Sequence, residues 1–353
     1  MLDFYKGKKV LITGHTGFKG AYLSRILQMA GARVTGYALM PPTDPSLFVL
    51  ADVKRDMESV CGDVRDREAL SKLIRRTKPE IVFHMAAQPL VRLSYEEPHL
   101  TFETNIMGTV NLLEAVRENT CVRSLVNITT DKVYLNKENG EAFKEEDPLN
   151  GFDPYSNSKS CSDIITQSYR SSFFADGRCA ISTARAGNVI GGCDFARDRL
   201  IPDCVRAMER GEDILIRNPA SVRPFQHVLE PLSAYLLLAQ RQAEDPAFIG
   251  EWNIGPDRSD CLSAGQMAEV FVESWKEARP DSDPKWVSGN AGGPHEAGLL
   301  MLDNTKVKEV LGWHSTWDVR EAIRRTVEME TARLDKRSVR RVLDRQIEEY
   351  FNV

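Results

Sequence analysis

A short apolar strand running straight into three evenly spaced glycines constrains this chain more than any other stretch. Lys9 to Thr13 reads KVLIT, and Gly14-His15-Thr16-Gly17-Phe18-Lys19-Gly20 follows without a break. A helical pattern continues to Ala30, Gly31 stops it, and Val34 to Leu39 reads as a second strand. Strand, glycine turn, helix and strand make a βαβ unit, the building block of a parallel sheet covered by helices on both faces. Glycines 14, 17 and 20 permit a tight turn. They also let a pyrophosphate approach unpaired N–H groups at the helix N-terminus. Their spacing is G-x-x-G-x-x-G rather than the G-x-G-x-x-G dehydrogenase fingerprint. Dinucleotide binding is therefore expected from the position of the loop between strand and helix.

The alternation continues. Cys61-Gly62-Asp63-Val64-Arg65-Asp66 reads as a strand end, where Asp63 serves either as an acceptor toward adenine or as a helix N-cap. Glu80 to Met85 is a fourth strand ending in Ala86-Ala87-Gln88, small residues that let the backbone lie against a flat ligand. His84, inside it, reads as a core histidine. Thr101 to Asn119 is a helical pattern, Leu125 to Ile128 a fifth strand, and Ala180 to Ala186 a sixth that ends in Gly187-Asn188. No acidic residue or arginine follows the second strand where a ribose would lie, so this position leaves NAD against NADP open.

Beyond residue 188 the alternation breaks down. The expected fold is α/β, a Rossmann-like doubly wound parallel sheet with a smaller, mixed, mostly helical C-terminal substrate domain. The expected boundaries are 1–188 with 222–255 for the cofactor domain and 189–221 with 256–353 for the substrate domain. The charge alternation from Val319 onward reads as a solvated helix face.

Candidate chemistry gathers between Thr129 and Lys159. Thr129-Thr130-Asp131-Lys132 follows the fifth strand, where a doubly wound sheet presents ligand-binding groups. Tyr155 and Lys159 stand four residues apart at the head of a helix, on one face. A phenol ionises near pH 10, so a tyrosinate base at neutral pH needs roughly 4 kcal/mol of help. An ammonium about 4 Å away supplies up to about that much at an effective dielectric near 20. Spacing alone does not settle the role, because Tyr5 and Lys9 share it.

A net charge of −5 gives no global field for nucleic acid or an anionic membrane, so an anionic ligand needs a local basic site. The seven scattered cysteines never form Cys-x-x-Cys, which points to reduced thiols, no metal site and a cytoplasmic setting. No apolar run reaches membrane-spanning length.

Taken together, GHTGFKG, GDVRD, HMAAQ, TNIMGT, TTDKVY, the Tyr155/Lys159 pair, RAGNVIGG, RPFQHV and LGW at 311–313 resemble the extended short-chain dehydrogenase/reductases that act on nucleotide sugars. GHTGFKG with TTDKVY, PPTDPSLF at 41–48 and PHEA at 294–297 is similar, more narrowly, to the 4,6-dehydratases that take a CDP-sugar. This resemblance implies NAD as cofactor and CDP-glucose or a related nucleotide sugar as substrate. It implies an oxidation at C4, loss of water across C5–C6 and a reduction at C6. It also implies a homodimer or higher homo-oligomer packed through 101–119 and 155–172, and a place in deoxysugar biosynthesis for lipopolysaccharide O-antigen.

The resemblance assigns catalysis to Thr130, Asp131, Lys132, Tyr155 and Lys159. Cofactor contacts fall on Gly14, Gly17, Phe18, Gly20, Asp63, Val64, Ala86, Ala87, Thr104, Thr129, Tyr155 and Lys159. Substrate contacts fall on Gln88, Asn188, Arg217 and Arg223, with His295 and Glu296 as further contacts; structural salt bridges are the other reading of the two arginines. Most 4,6-dehydratases carry Asp-Glu where this chain has Asp131-Lys132. Asp131 is then the proton donor to O6, with its pKa raised by burial. Lys132 is either a neutral base or a cation stabilising the C4 enolate. The alternatives are a dehydratase for another nucleotide sugar, a 4-epimerase, and an inactive NAD-binding sensor, which has no use for the acid–base residues.

Overall fold

The computed structural model describes residues 1–136, 140–289 and 300–353. Seven strands form the central sheet: β1 (Lys9–Thr13), β2 (Arg33–Ala38), β3 (Glu58–Cys61), β4 (Ile81–His84), β5 (Ser124–Ile128), β6 (Ala180–Ala186) and β7 (Glu251–Ile254). Their order is β7-β6-β5-β4-β1-β2-β3, and every neighbouring pair is parallel. Strands β4, β5 and β6 are buried along their whole length, as central strands of a parallel sheet covered on both faces are. The strand order reverses between β1 and β4, and the crevice at their carboxyl ends is where open α/β sheets hold ligands.

The helices are α1 (Phe18–Met29), α2 (Arg67–Thr77), α3 (Gly108–Glu118), α4 (Pro154–Phe173), α5 (Leu200–Arg210), α6 (Leu229–Glu244), α7 (Ala264–Ala278), α8 (Val319–Leu334) and α9 (Val339–Phe351). Side chains alternate along β1 and sort the layers. Val10 and Ile12 face a core shared with α1, α6 and α9. Leu11 faces a second core shared with α2 and α3.

Three expectations change. The 101–119 helix is not one regular element, because a π-turn at Glu103–Met107 interrupts it before α3. The Val319 helix is two, α8 and α9. The last residues also pack elsewhere than expected. A third core holds Ile201, Ile214, Phe271 and Ile323 and defines the smaller lobe. Leu311, Trp313, Leu343 and Ile347, by contrast, belong to the α1–α6 side of the sheet. Glu230, at the start of α6, fastens them there. Its carboxylate accepts Trp317 N at 2.8 Å and Tyr350 Oη–H at 2.7 Å.

Candidate active site

The loop after β1 fits a dinucleotide by its shape. Gly14 has φ +78°, and a Cβ there would stand 2.7 Å from Ala86 N. At Gly20 it would stand 2.2 Å from Gly14 O, so only glycine lets the turn close and α1 begin. Gly17 is the N-cap and offers no side chain to the first N–H groups of α1, which leaves them for an anion. Ala86 lies directly across from this turn. Phe18 packs edge-on against Tyr22, their centroids 5.3 Å apart.

Asp153 caps α4 by accepting Ser156 N at 2.9 Å, and Pro154 opens the helix. Tyr155 therefore sits in the first turn, with Lys159 one turn on and buried. Lys159 Nζ donates to Ile128 O, at the end of β5, over 2.7 Å. Burial lowers its pKa to about 8, while the Asp163 carboxylate one turn further along pulls it up. The expected downward pull on Tyr155 is absent. Its phenol is pushed up to about 12, chiefly by burial, with Asp131 adding to the rise and Thr130 opposing it.

Asp131 follows β5 on a short turn capped by Thr130. Its carboxylate accepts the Thr130 hydroxyl at 2.9 Å and is only 2% exposed. A Cβ on Gly187 would fall 2.9 Å from its Oδ2, so the end of β6 closes over the carboxylate. Burial pushes its pKa up, against the pull of Lys132, Thr130, Arg223 and Lys19. Burial thus favours the protonated carboxyl, the form a general acid uses.

The other expected residues divide. Val64 is buried beneath Gly108. The Asp63 carboxylate is taken by Arg65, through its backbone N–H at 2.9 Å and Nη2 at 2.7 Å, and the N-cap of α2 is Asp66. Thr104 lies in the π-turn, half-buried. Thr129 gives its hydroxyl to Asp163 at 3.1 Å. Gln88 spends both Nε2 hydrogens on the Thr101 hydroxyl and Leu90 O, so its side chain holds the loop together and offers no donor to a sugar. Asn188 stands half-buried at the end of β6. Arg217 pairs with Asp198 at 3.2 Å. Arg223 donates to Val222 O and reaches Asp131 electrostatically. His84 bridges the Thr13 and Thr109 hydroxyls as a core histidine. His295 and Glu296, with the PHEA motif, lie outside the described residues.

Sequence reasoning missed five residues. Asn105, swung inward by the π-turn, accepts Gln88 N at 2.8 Å and donates to the Ser158 hydroxyl at 2.8 Å, tying the β4 loop to α4. Asp163 and Arg185 form a bidentate ion pair, 0% and 1% exposed, behind Lys159. The i, i+4, i+8 run Tyr155, Lys159, Asp163 was the available signal for that pair. Lys19 and Arg199 also bear on the cluster, and their source loops gave no such pattern.

Fold and site define an extended short-chain dehydrogenase/reductase. The chain belongs, within that class, to the nucleotide-sugar 4,6-dehydratases: the family described as GDP-mannose 4,6 dehydratase matches residues 11–326. A Salmonella typhimurium protein named CDP-glucose 4,6-dehydratase is 45% identical, over 99% of this chain and 98% of its own. A Mus musculus dTDP-D-glucose 4,6-dehydratase is 26% identical over 91% of this chain and 88% of its own. Among solved structures, a Bacillus anthracis dTDP-glucose 4,6-dehydratase in complex with NAD superimposes with a TM-score of 0.73 at 22% identity, covering 91% of this chain and 96% of that one. A Thermotoga maritima UDP-glucose 4-epimerase with UDP-glucose gives 0.76 at 24% identity, covering 92% and 99%. These two likenesses bear on the fold.

Proposed function

We propose that this chain is an NAD-dependent CDP-glucose 4,6-dehydratase, converting CDP-glucose to CDP-4-dehydro-6-deoxyglucose and water. The observation that carries the reading is Asp131, a buried carboxyl with a raised pKa held by Thr130 beside Tyr155. An exchange of configuration at C4 needs no such acid, whereas expelling the C6 hydroxyl does. The likeness to the Salmonella typhimurium protein supports the CDP-sugar.

NAD bound across the β1–β4 crevice would supply the oxidation at C4 and the matching reduction at C6. The glycine loop would hold its pyrophosphate, and Phe18, Val64, Ala86, Ala87, Thr104 and Thr129 would line it. Tyr155 takes the C4 hydroxyl proton with Lys159 behind it, and Thr130 orients the C4 oxygen. Once C4 is a ketone, the C5 proton is acidified. Asp131 then protonates the departing C6 oxygen, and Lys132 stands beside the developing enolate. Asn188 and Arg223 would meet the substrate diphosphate, where an arginine fork suits phosphate.

Incubation with CDP-, UDP-, GDP- and dTDP-glucose tests the reading. A 4-ketone with a C6 methyl group is expected from the CDP sugar, and a C4-inverted sugar would contradict it. We further propose a cytoplasmic homodimer formed through 101–119 and 155–172, supplying a deoxysugar precursor for a surface polysaccharide. Exposed Met107 and Ile164 on those segments support the pairing. Sedimentation at micromolar concentration is expected to give twice the chain mass of 39.7 kDa, and a single-chain mass would contradict it.

A further inference from the structure

Six consecutive residues, Thr129 to Tyr134, make the turn after β5, and both ends of it lead to one buried ion pair. Asp163, on α4, is 0% exposed. Among the described residues its carboxylate accepts five hydrogen bonds, two from Arg185 and one each from Thr129, Gln167 and Thr183. Arg185, on β6, points Nε and Nη2 at that carboxylate, each at 2.9 Å. Its Nη1 turns the other way and donates to Tyr134 Oη at 2.7 Å and to Glu145 O at 2.9 Å. The Tyr134 hydroxyl donates onward to Asn253 Oδ1, on β7, at 2.6 Å. At the near end of the turn, the Thr129 hydroxyl donates to Asp163 Oδ2 at 3.1 Å. One guanidinium–carboxylate pair therefore brackets Thr130, Asp131, Lys132 and Val133, holding the residue before them and the residue after them.

Stability alone is a poor reason for such a pair. Stripping water from a guanidinium and a carboxylate offsets much of their attraction, and apolar residues of similar volume often serve a core as well. What the pair adds over apolar packing is direction, because a planar fork fixes its partners in angle as well as distance. The far end of the turn is oriented further by two contacts. Val133 O accepts the Ser160 hydroxyl at 2.7 Å, and the Tyr134 ring lies flat on Phe143 with centroids 4.8 Å apart. Asp163 and Tyr155 belong to one helix, α4, so the pair ties the turn bearing Asp131 to the element bearing the phenol.

We infer that Asp163, Arg185 and Tyr134 are positioning residues, which hold Asp131 and Lys132 in register with Tyr155 for the loss of water. The inference rests on the dehydratase reading. The two ends of the clamp serve different steps. Thr129 adjoins Thr130, which orients the C4 oxygen during oxidation. Tyr134 follows Asp131 and Lys132, which act only once C4 is a ketone. Loosening the Tyr134 end disturbs water loss and spares the oxidation at C4. Loosening the Thr129 end disturbs both.

The test mixes NAD-loaded enzyme with CDP-glucose in single turnovers, reading reduced cofactor by absorbance and 6-deoxy product by NMR. Tyr134→Phe keeps the ring on Phe143 and removes only the hydroxyl that joins Arg185 to Asn253. It is expected to form reduced cofactor at the wild-type rate, with KM for CDP-glucose unchanged. Product is then expected to appear about 10- to 10²-fold more slowly, while reduced cofactor accumulates. Thr129→Val, which frees the other end, is expected to slow both steps. Trp313→Phe removes a buried donor far from the turn, Nε1 to Ser233 Oγ at 2.8 Å, and is the structural control. At a comparable loss of Tm it is expected to keep both rates. Wild-type rates in either turn variant would overturn the assignment. So would equal slowing of oxidation and water loss in Tyr134→Phe, or the same selective defect in Trp313→Phe. A wild type that makes no 6-deoxy sugar would instead sink the dehydratase reading, and the assignment with it.

Discussion

Burial acts on Asp131 and Tyr155 in one direction, raising the pKa of each. For Asp131 that is the state the chemistry uses, since the carboxyl must still be protonated when the C6 oxygen leaves. Asparagine at 131 keeps the shape and the hydrogen-bonding capacity but carries no transferable proton. Asp131→Asn is expected to oxidise C4 and then stall, slowing product formation by about 10²- to 10⁴-fold. A 4-ketohexose still bearing its C6 hydroxyl, found by NMR, is the sign to look for; product at the wild-type rate would remove Asp131 from the mechanism. Tyr155 poses the opposite problem, because its ionised form is the one required. Lys159 does not answer it here, its ammonium being turned to the β5 carbonyl. Spacing placed Tyr155 and Lys159 on one helix face, and the resemblance, not the spacing, gave the pair its role. The electrostatics were not legible, because burial is a property of the assembled sheet.

Elements carry the site as much as residues do. β1 and β4 were readable as elements because each is a short, largely apolar run closed by a turn signal, Gly14 after β1 and Ala86-Ala87 after β4. The π-turn at Glu103–Met107 was not, since its apolar spacing fits an ordinary helix and the extra residue shows only in the backbone. The C-terminal helices were misplaced for a related reason: amphipathic periodicity marks the apolar face of α9 but not which core receives it. Glu230 decides that, and it makes the join sensitive to pH. Burial raises its pKa from 4.5 to about 7. Between those values the folded chain holds a proton that the unfolded chain has released, so stability is greatest below about 4.5 and falls as pH rises through 7. The gap corresponds to at most on the order of 3 kcal/mol. Urea unfolding at pH 5 and pH 7.5 should show that loss in wild type and a smaller one in Glu230→Gln. Equal losses in both would contradict the assignment.

At the scale of the whole molecule, the residues proposed as catalytic follow the carboxyl ends of a parallel sheet, where open α/β sheets hold ligands. The glycine loop at the end of β1 and Asp131 at the end of β5 are far apart in sequence, and the strand order sets them on either side of β4. The seven cysteines are all free, and no helix among the described residues is long and apolar enough to cross a membrane. The central claim is that one crevice oxidises a sugar, strips water from it and reduces it again without releasing it. CDP-glucose carrying deuterium at C4 tests this most directly. The account predicts that the label appears at C6 of the 6-deoxy product within the same molecule, and a product whose C6 methyl carries no deuterium would contradict it.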